Sequence, residues 1–241
     1  CLSGARRQDP ATGVSDMTLL GRASAVFRKD LWIELRGKQA VSSTTLFAVV
    51  TLLVLAFALG PDPTAIESVA PGLIWTALIF AAVLGISRVF DSERGNRGME
   101  GLFLYPGDRR AVYVGKLGAL ATILTCSELL ILVLAGVLYN LPLWPVFPQL
   151  AAVAALGSLG IAGIGTLYGA LTLNVRAREV LLPLLILPLL VPVVLASVAA
   201  TRLLLVGDPF DVLGGWVRLL IAFSIVFTVA PRLAFERVLS E

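Results

Sequence analysis

The chain has 241 residues, of which 58% are hydrophobic and only 15% charged, with 19 Lys and Arg against 16 Asp and Glu and no histidine. A mean hydropathy of +0.92 is far outside the range of a soluble domain of this length and points to a polytopic membrane protein. The absence of histidine excludes HExxH metalloprotease sites, Ser-His dyads and bis-histidine haem ligation, and a formal charge of +3 gives no ground for a nucleic-acid partner.

The first sixteen residues, "CLSGARRQDPATGVSD", are polar and lack the apolar core of a signal peptide, so they read as a loose leader ahead of a single membrane domain over 17–241. From Met17 to Gln39 the chain is too charged to span a bilayer. Leu20, Ala23, Phe27, Leu31 and Leu35 recur at helical spacing with Arg28, Lys29, Arg36 and Lys38 elsewhere on the wheel. Two placements follow: an amphipathic helix along the membrane surface, or an ordinary helix docked on protein.

A span needs about 20 mostly apolar residues, and six runs qualify, at about 41–60, 73–90, 112–139, 147–173, 180–201 and 214–235. The ten-residue alternation of barrel strands is absent, so the expected fold is an all-α membrane protein of six transmembrane helices. Lys and Arg divide unequally among the connections. Setting aside Arg6 and Arg7, fifteen fall before the first span, in the second and fourth connections and after the last span, while only Arg202 and Arg218 fall on the other side. The asymmetry predicts that both termini and residues 91–110 are cytoplasmic, with 61–72 and 140–146 as external loops.

The connection between the second and third spans, "SERGNRGMEGLFLYPGDRR", is unusually polar for this chain. Ser92 has the character of a helix N-cap, Met99, Leu102 and Phe103 form a short apolar stripe, and Tyr105-Pro106-Gly107 ends the element. This is either a short cytoplasmic helix suited to receive a soluble partner or a solvated loop. Cys126, in the third run, reads as a small buried thiol, and two cysteines offer no disulfide framework. Glu128 is the one ionisable residue deep within a span. A carboxyl group there costs a few kcal/mol on insertion scales, so it faces the bundle interior, either in a functional role or held structurally by Thr125, Ser127 or a neighbouring helix.

The run "GSLGIAGIGTLYG" from Gly157 to Gly169 has no preceding strand and no following acidic residue, so its small residues serve close helix packing rather than a dinucleotide. Pro183, Pro188 and Pro192 in the fifth run each remove a backbone donor, which marks candidate breaks: a moving part or a bend. Gly37-Lys38 and Gly115-Lys116 continue with Gln and Leu, so no P-loop is present and the chain is not expected to be an enzyme.

The order of an N-terminal interfacial helix, six spans and a cytoplasmic connection carrying Glu93, Arg94, Gly98, Glu100, Leu102, Pro106 and Lys116 resembles the permeases of ABC-2 type exporters. More narrowly, "GPDP" after the first span, "APGLIW" over 70–75 and "LPLLVPVVLA" over 187–196 are similar to the haem exporter permeases of bacterial cytochrome c maturation. One departure is "PGDRR", where that family is expected to be more apolar. The resemblance implies a multi-pass protein of the inner membrane working beside a separate ATPase subunit, other haem-handling membrane subunits and a periplasmic haem chaperone. It implies no cofactor on this chain, with ATP on the partner and haem as substrate of the complex. Contact with the ATPase would fall to Glu93, Arg94, Met99, Glu100, Leu102, Phe103 and Pro106. A permease for a lipid, polysaccharide or drug, and a scaffold that merely anchors the ATPase, are the rival readings.

Overall fold

A computed structural model describes residues 19–37, 39–60, 62–95, 109–171, 178–207 and 212–238. Among these residues the chain is all-helical and contains no strand. Seven α-helices follow in order: α1 (Leu19–Gly37), α2 (Gln39–Leu59), α3 (Pro63–Gly95), α4 (Arg109–Leu138), α5 (Phe147–Leu171), α6 (Arg178–Val206) and α7 (Leu213–Val238), with a 3-10 turn at Trp144–Val146 before α5. The last six helices are each long and apolar enough to cross a bilayer, within Val41–Leu59, Ala65–Ser87, Arg110–Leu138, Trp144–Gly169, Pro183–Val206 and Leu213–Pro231. They coincide with the six runs read from the sequence.

The helix ends differ from the sequence reading at both ends of α3. Residues 63–72, expected as loop, are the opening turns of α3. Pro63 stands at the first helical position, where its missing N–H is not needed, and the Ile66 N–H bonds to the Asp62 carbonyl at 3.1 Å. At the other end α3 continues to Gly95, so Ser92 lies in its last turns rather than capping a new helix. Pro183, Pro188 and Pro192 all lie inside the uninterrupted helix α6. Each costs one backbone bond, and the helix continues on either side of it.

Helix α5 is the hub. It packs against α3, α4, α6 and α7, while α2 leans on α3 and α4 at one edge of the bundle. The reason is steric. A side chain added at Gly157 would meet the Trp75 ring at 2.8 Å, one at Gly165 would meet Ile86 at 2.6 Å, and one at Gly163 would meet the Phe227 backbone oxygen at 2.7 Å. Two neighbours, α3 and α7, thus come against α5 at positions that only glycine allows, and Trp75, Ile86, Leu120, Ile161 and Ile164 are almost wholly buried there. The outer faces stay apolar, with Phe47, Phe57, Leu184 and Val226 exposed, as suits lipid contact.

At Gly163 the opposing atom is backbone and the same Phe227 carbonyl accepts a hydrogen bond from the Tyr113 hydroxyl at 3.2 Å, so it has little room to yield. Gly163→Ala is expected to cost roughly 1–3 kcal/mol through overpacking. Gly72→Ala, which meets open space, is the control. Thermal unfolding in detergent should show a clear loss for the first and near-parity for the second; equal midpoints would contradict the packing described.

Candidate functional site

Polar residues inside the bundle gather around one turn of α5. Ser158, at the middle of that helix, is fully buried, and its hydroxyl donates to Oε2 of Glu128 on α4. Glu128 is 2% exposed, and its other oxygen has no hydrogen-bond partner among the described residues. One residue back, Gly157 leaves room for the Trp75 ring, whose Nε1–H donates to Thr201 Oγ1 at 2.9 Å and so ties α3 to α6. The hydroxyl of Ser224 on α7 donates to the Leu156 carbonyl at 3.0 Å. The buried hydroxyls of Ser127 and Ser197 are, like Glu128 Oε1, without a partner among the described residues. Buried polar atoms left unbonded are uncommon and mark places where water or a polar ligand group is accepted.

Of the structural partners the sequence allowed for Glu128, the neighbouring helix is the one used. Thr125 instead donates to the Ala121 carbonyl of its own helix at 2.8 Å. Cys126 is exposed, not buried. The helical wheel explains this: Glu128 and Ser127 face inward, and Cys126 lies on the outer side of α4. Of the residues expected to meet a partner, Glu93 and Arg94 belong to the last turn of α3. Met99, Glu100, Leu102, Phe103 and Pro106 lie outside the described residues.

A second polar contact was invisible to pattern reading. Asp30 on α1 and Lys116 on α4 are each 8% exposed and form an ion pair at 3.3 Å, with Lys29 on the other carboxylate oxygen at 3.0 Å. Around them α1 lies tight along α4: a side chain at Gly115 would strike the Ala23 carbonyl at 2.6 Å, and Phe27 covers Gly118. One face of α1 is therefore docked on protein, through Ala23, Phe27 and Asp30. Leu20 and Leu35, which the spacing placed on the same stripe, are 75% and 63% exposed. The stripe drifts because a charged residue, Asp30, sits on the buried face. No apolar periodicity could signal that.

Breaking a buried ion pair leaves a poorly solvated charge with one contact fewer, at a cost of up to roughly 3–5 kcal/mol. Asp30→Ala should be the more damaging variant, since it strips Lys116 of this carboxylate, whereas Lys116→Ala leaves Asp30 with Lys29. Asp30→Leu combined with Lys116→Met should recover most of the loss. Melting temperatures of the purified variants test the order, and a double variant no better than Asp30→Ala would refute it.

The CcmB protein family model matches residues 21–240. Curated relatives named heme exporter protein B include that of Escherichia coli (strain K12), 32% identical over 175 residues that cover 73% of this chain and 79% of the relative. Those of Haemophilus influenzae and Pseudomonas aeruginosa are each 25% identical, over 207 and 205 residues respectively, covering 86% and 85% of this chain and 92% of either relative. The match takes in nearly all of what the structure describes, from the docked face of α1 through the Glu128–Ser158 contact to α7, and this multi-pass membrane chain belongs to the CcmB family.

Proposed function

We propose that this chain is the permease subunit of an ABC transporter complex of the bacterial inner membrane that acts in haem export, or in release of a haem-loaded chaperone, during cytochrome c maturation. The single observation that carries this reading is the family match over residues 21–240, together with relatives named for haem export. ATP is hydrolysed on a separate subunit, and the other haem-handling membrane subunits and a periplasmic chaperone complete the assembly. The chain acts as a single membrane domain from about residue 17 onward.

Two interhelical contacts support such a role. Glu128 and Ser158 join α4 to α5 at mid-bundle, and Trp75 with Thr201 joins α3 to α6. Hydrogen bonds of this kind between transmembrane helices average well under 2 kcal/mol, so they can be exchanged for bonds to water or to a polar edge of a substrate as helices shift. The segment between α3 and α4, read from the sequence as a short cytoplasmic helix, is the coupling element in this scheme. Met99, Leu102 and Phe103 supply its apolar contact to the ATPase, and Glu93, Arg94, Glu100 and Pro106 frame it. Closure of the ATPase would then reach α4 and, through Asp30 and Lys116, α1: a change of packing rather than covalent catalysis.

Orientation rests on the Lys/Arg asymmetry. A cysteine replacing Asp62 should react with an impermeant thiol reagent in intact spheroplasts of a strain carrying Cys126→Ser, while one replacing Asp108 should be protected; the reverse pattern would invert the topology. Function is tested by mature cytochrome c at equal membrane levels of each variant. Glu128→Gln should lower maturation with the ATPase still co-purifying. Leu102→Ala with Phe103→Ala should lower it and release the ATPase, since a buried aromatic anchor is worth ~2 kcal/mol or more. Normal maturation in Glu128→Gln would leave that residue a purely structural role, and full ATPase retention in the double variant would move the docking surface elsewhere.

A further inference from the structure

Helix α1 packs along α4 and barely touches α2, although only Lys38 separates it from α2 in the chain. A wedge therefore stays open between the three helices. It is a groove of about 520 Å³ that begins at Leu35 on α1, follows Val41, Thr45, Leu46 and Val49 along one face of α2, and ends at Leu130 on α4. From Val41 onward these residues lie within two of the candidate spans, so the groove opens toward hydrocarbon and not toward water. Leu35, Leu46 and Leu130 are 63%, 66% and 43% exposed along it.

The polar groups are confined to the end near the membrane surface. Glu34 is the one carboxylate of the lining, and its Oε1 is engaged by the Val41 N–H at 2.8 Å, which closes the first turn of α2. One turn deeper, Thr45 Oγ1 is buried and makes no hydrogen bond among the described residues. Next to Leu35 stands Arg36, exposed, its guanidinium 4.7 Å from the centre of the half-exposed Trp32 ring. Arg28 and Lys29 continue the exposed, basic side of α1. An apolar slot of ligand-site size, with an arginine–tryptophan pair flanking its lining residue Leu35 on α1, matches the parts of one molecule type.

We propose that this groove holds a phospholipid with an anionic headgroup. One acyl chain lies along α2 toward Leu130, and the headgroup phosphate meets Arg36. Trp32 holds that side chain at the interface, where aromatic and basic residues together favour anionic lipid. The inference needs the chain only to be embedded in a bilayer and is independent of what the complex transports. The lipid would fill the wedge between α1 and α2 and so keep α1 lying along α4.

The test is native mass spectrometry of the full chain in mild detergent with equal phosphatidylglycerol and phosphatidylcholine. One phosphatidylglycerol should be retained, at least about fivefold over phosphatidylcholine, the ratio that one well-placed cation provides. Arg36→Gln should erase that preference while a lipid is still held. Thr45→Phe, which fills the slot, should abolish retention of both lipids with the melting temperature maintained; Val49→Phe, one turn deeper, provides the same test if Thr45→Phe expresses poorly. Equal retention of the two lipids by the unaltered chain would reduce the groove to ordinary lipid contact. Undiminished retention in both phenylalanine variants would place the lipid elsewhere, and loss of the lipid when partner chains co-purify would show that protein covers the groove; either result overturns the proposal.

Discussion

Everything in this bundle depends on how closely its helices can approach α5. In a bilayer, lipid is as apolar as leucine, so helices gain little from hiding apolar surface and hold together through tight packing and hydrogen bonds instead. Gly157, Gly163 and Gly165 remove the side chains that would keep Trp75, Phe227 and Ile86 at a distance. Those contacts seat α3 and α7, while Leu120 of α4 beside Gly165 and Val193 of α6 beside Gly160 rest on the same small-residue surface. Helix α2, which has almost no contact with α5, shows it: it exposes most of its length to the surroundings.

The interior polar groups follow from the same crowding. Ser158, Trp75, Thr201 and Ser224 could not pair across helices unless the backbones were already near, and each pairing joins a different pair of elements. Glu128 is the exception in kind. It brings an ionisable group to a place where one of its oxygens has no partner among the described residues, a cost that a purely architectural helix would avoid by carrying leucine. A membrane protein that carries material or force between its two faces needs some contacts that can be exchanged, and weakly satisfied polar groups are of that kind.

The six spans and the all-α class were legible in the sequence because length and apolar composition are the same constraint the bilayer imposes. The packing role of Gly157 to Gly169 was legible for a related reason: small residues in a span have few other uses. What escaped was local or long-range in origin. The opening turns of α3 were read as loop because Pro63 and Pro71 look like breakers, yet a proline at the first helical position breaks nothing. For the prolines of α6 the sequence allowed a break or a bend, and the helix runs through all three. Cys126 was assigned to the interior by residue type, when its position on the wheel beside Glu128 already placed it outside. The pairing of Asp30 with Lys116 had no signal at all, because a charge on the buried face of an amphipathic helix looks like noise until its partner, 86 residues away, is known.

That separation bears on how the protein is built. Helix α1 is made before the surface it rests on, which belongs to α4 and emerges from the ribosome only after α2 and α3 have been synthesised. Until then Asp30 has no Lys116 to meet, and Ala23 and Phe27 have no glycine-lined surface to cover. Helix α1 thus finds its place only after a span made much later than itself, and its seating reports that the third span has already been inserted in the correct register.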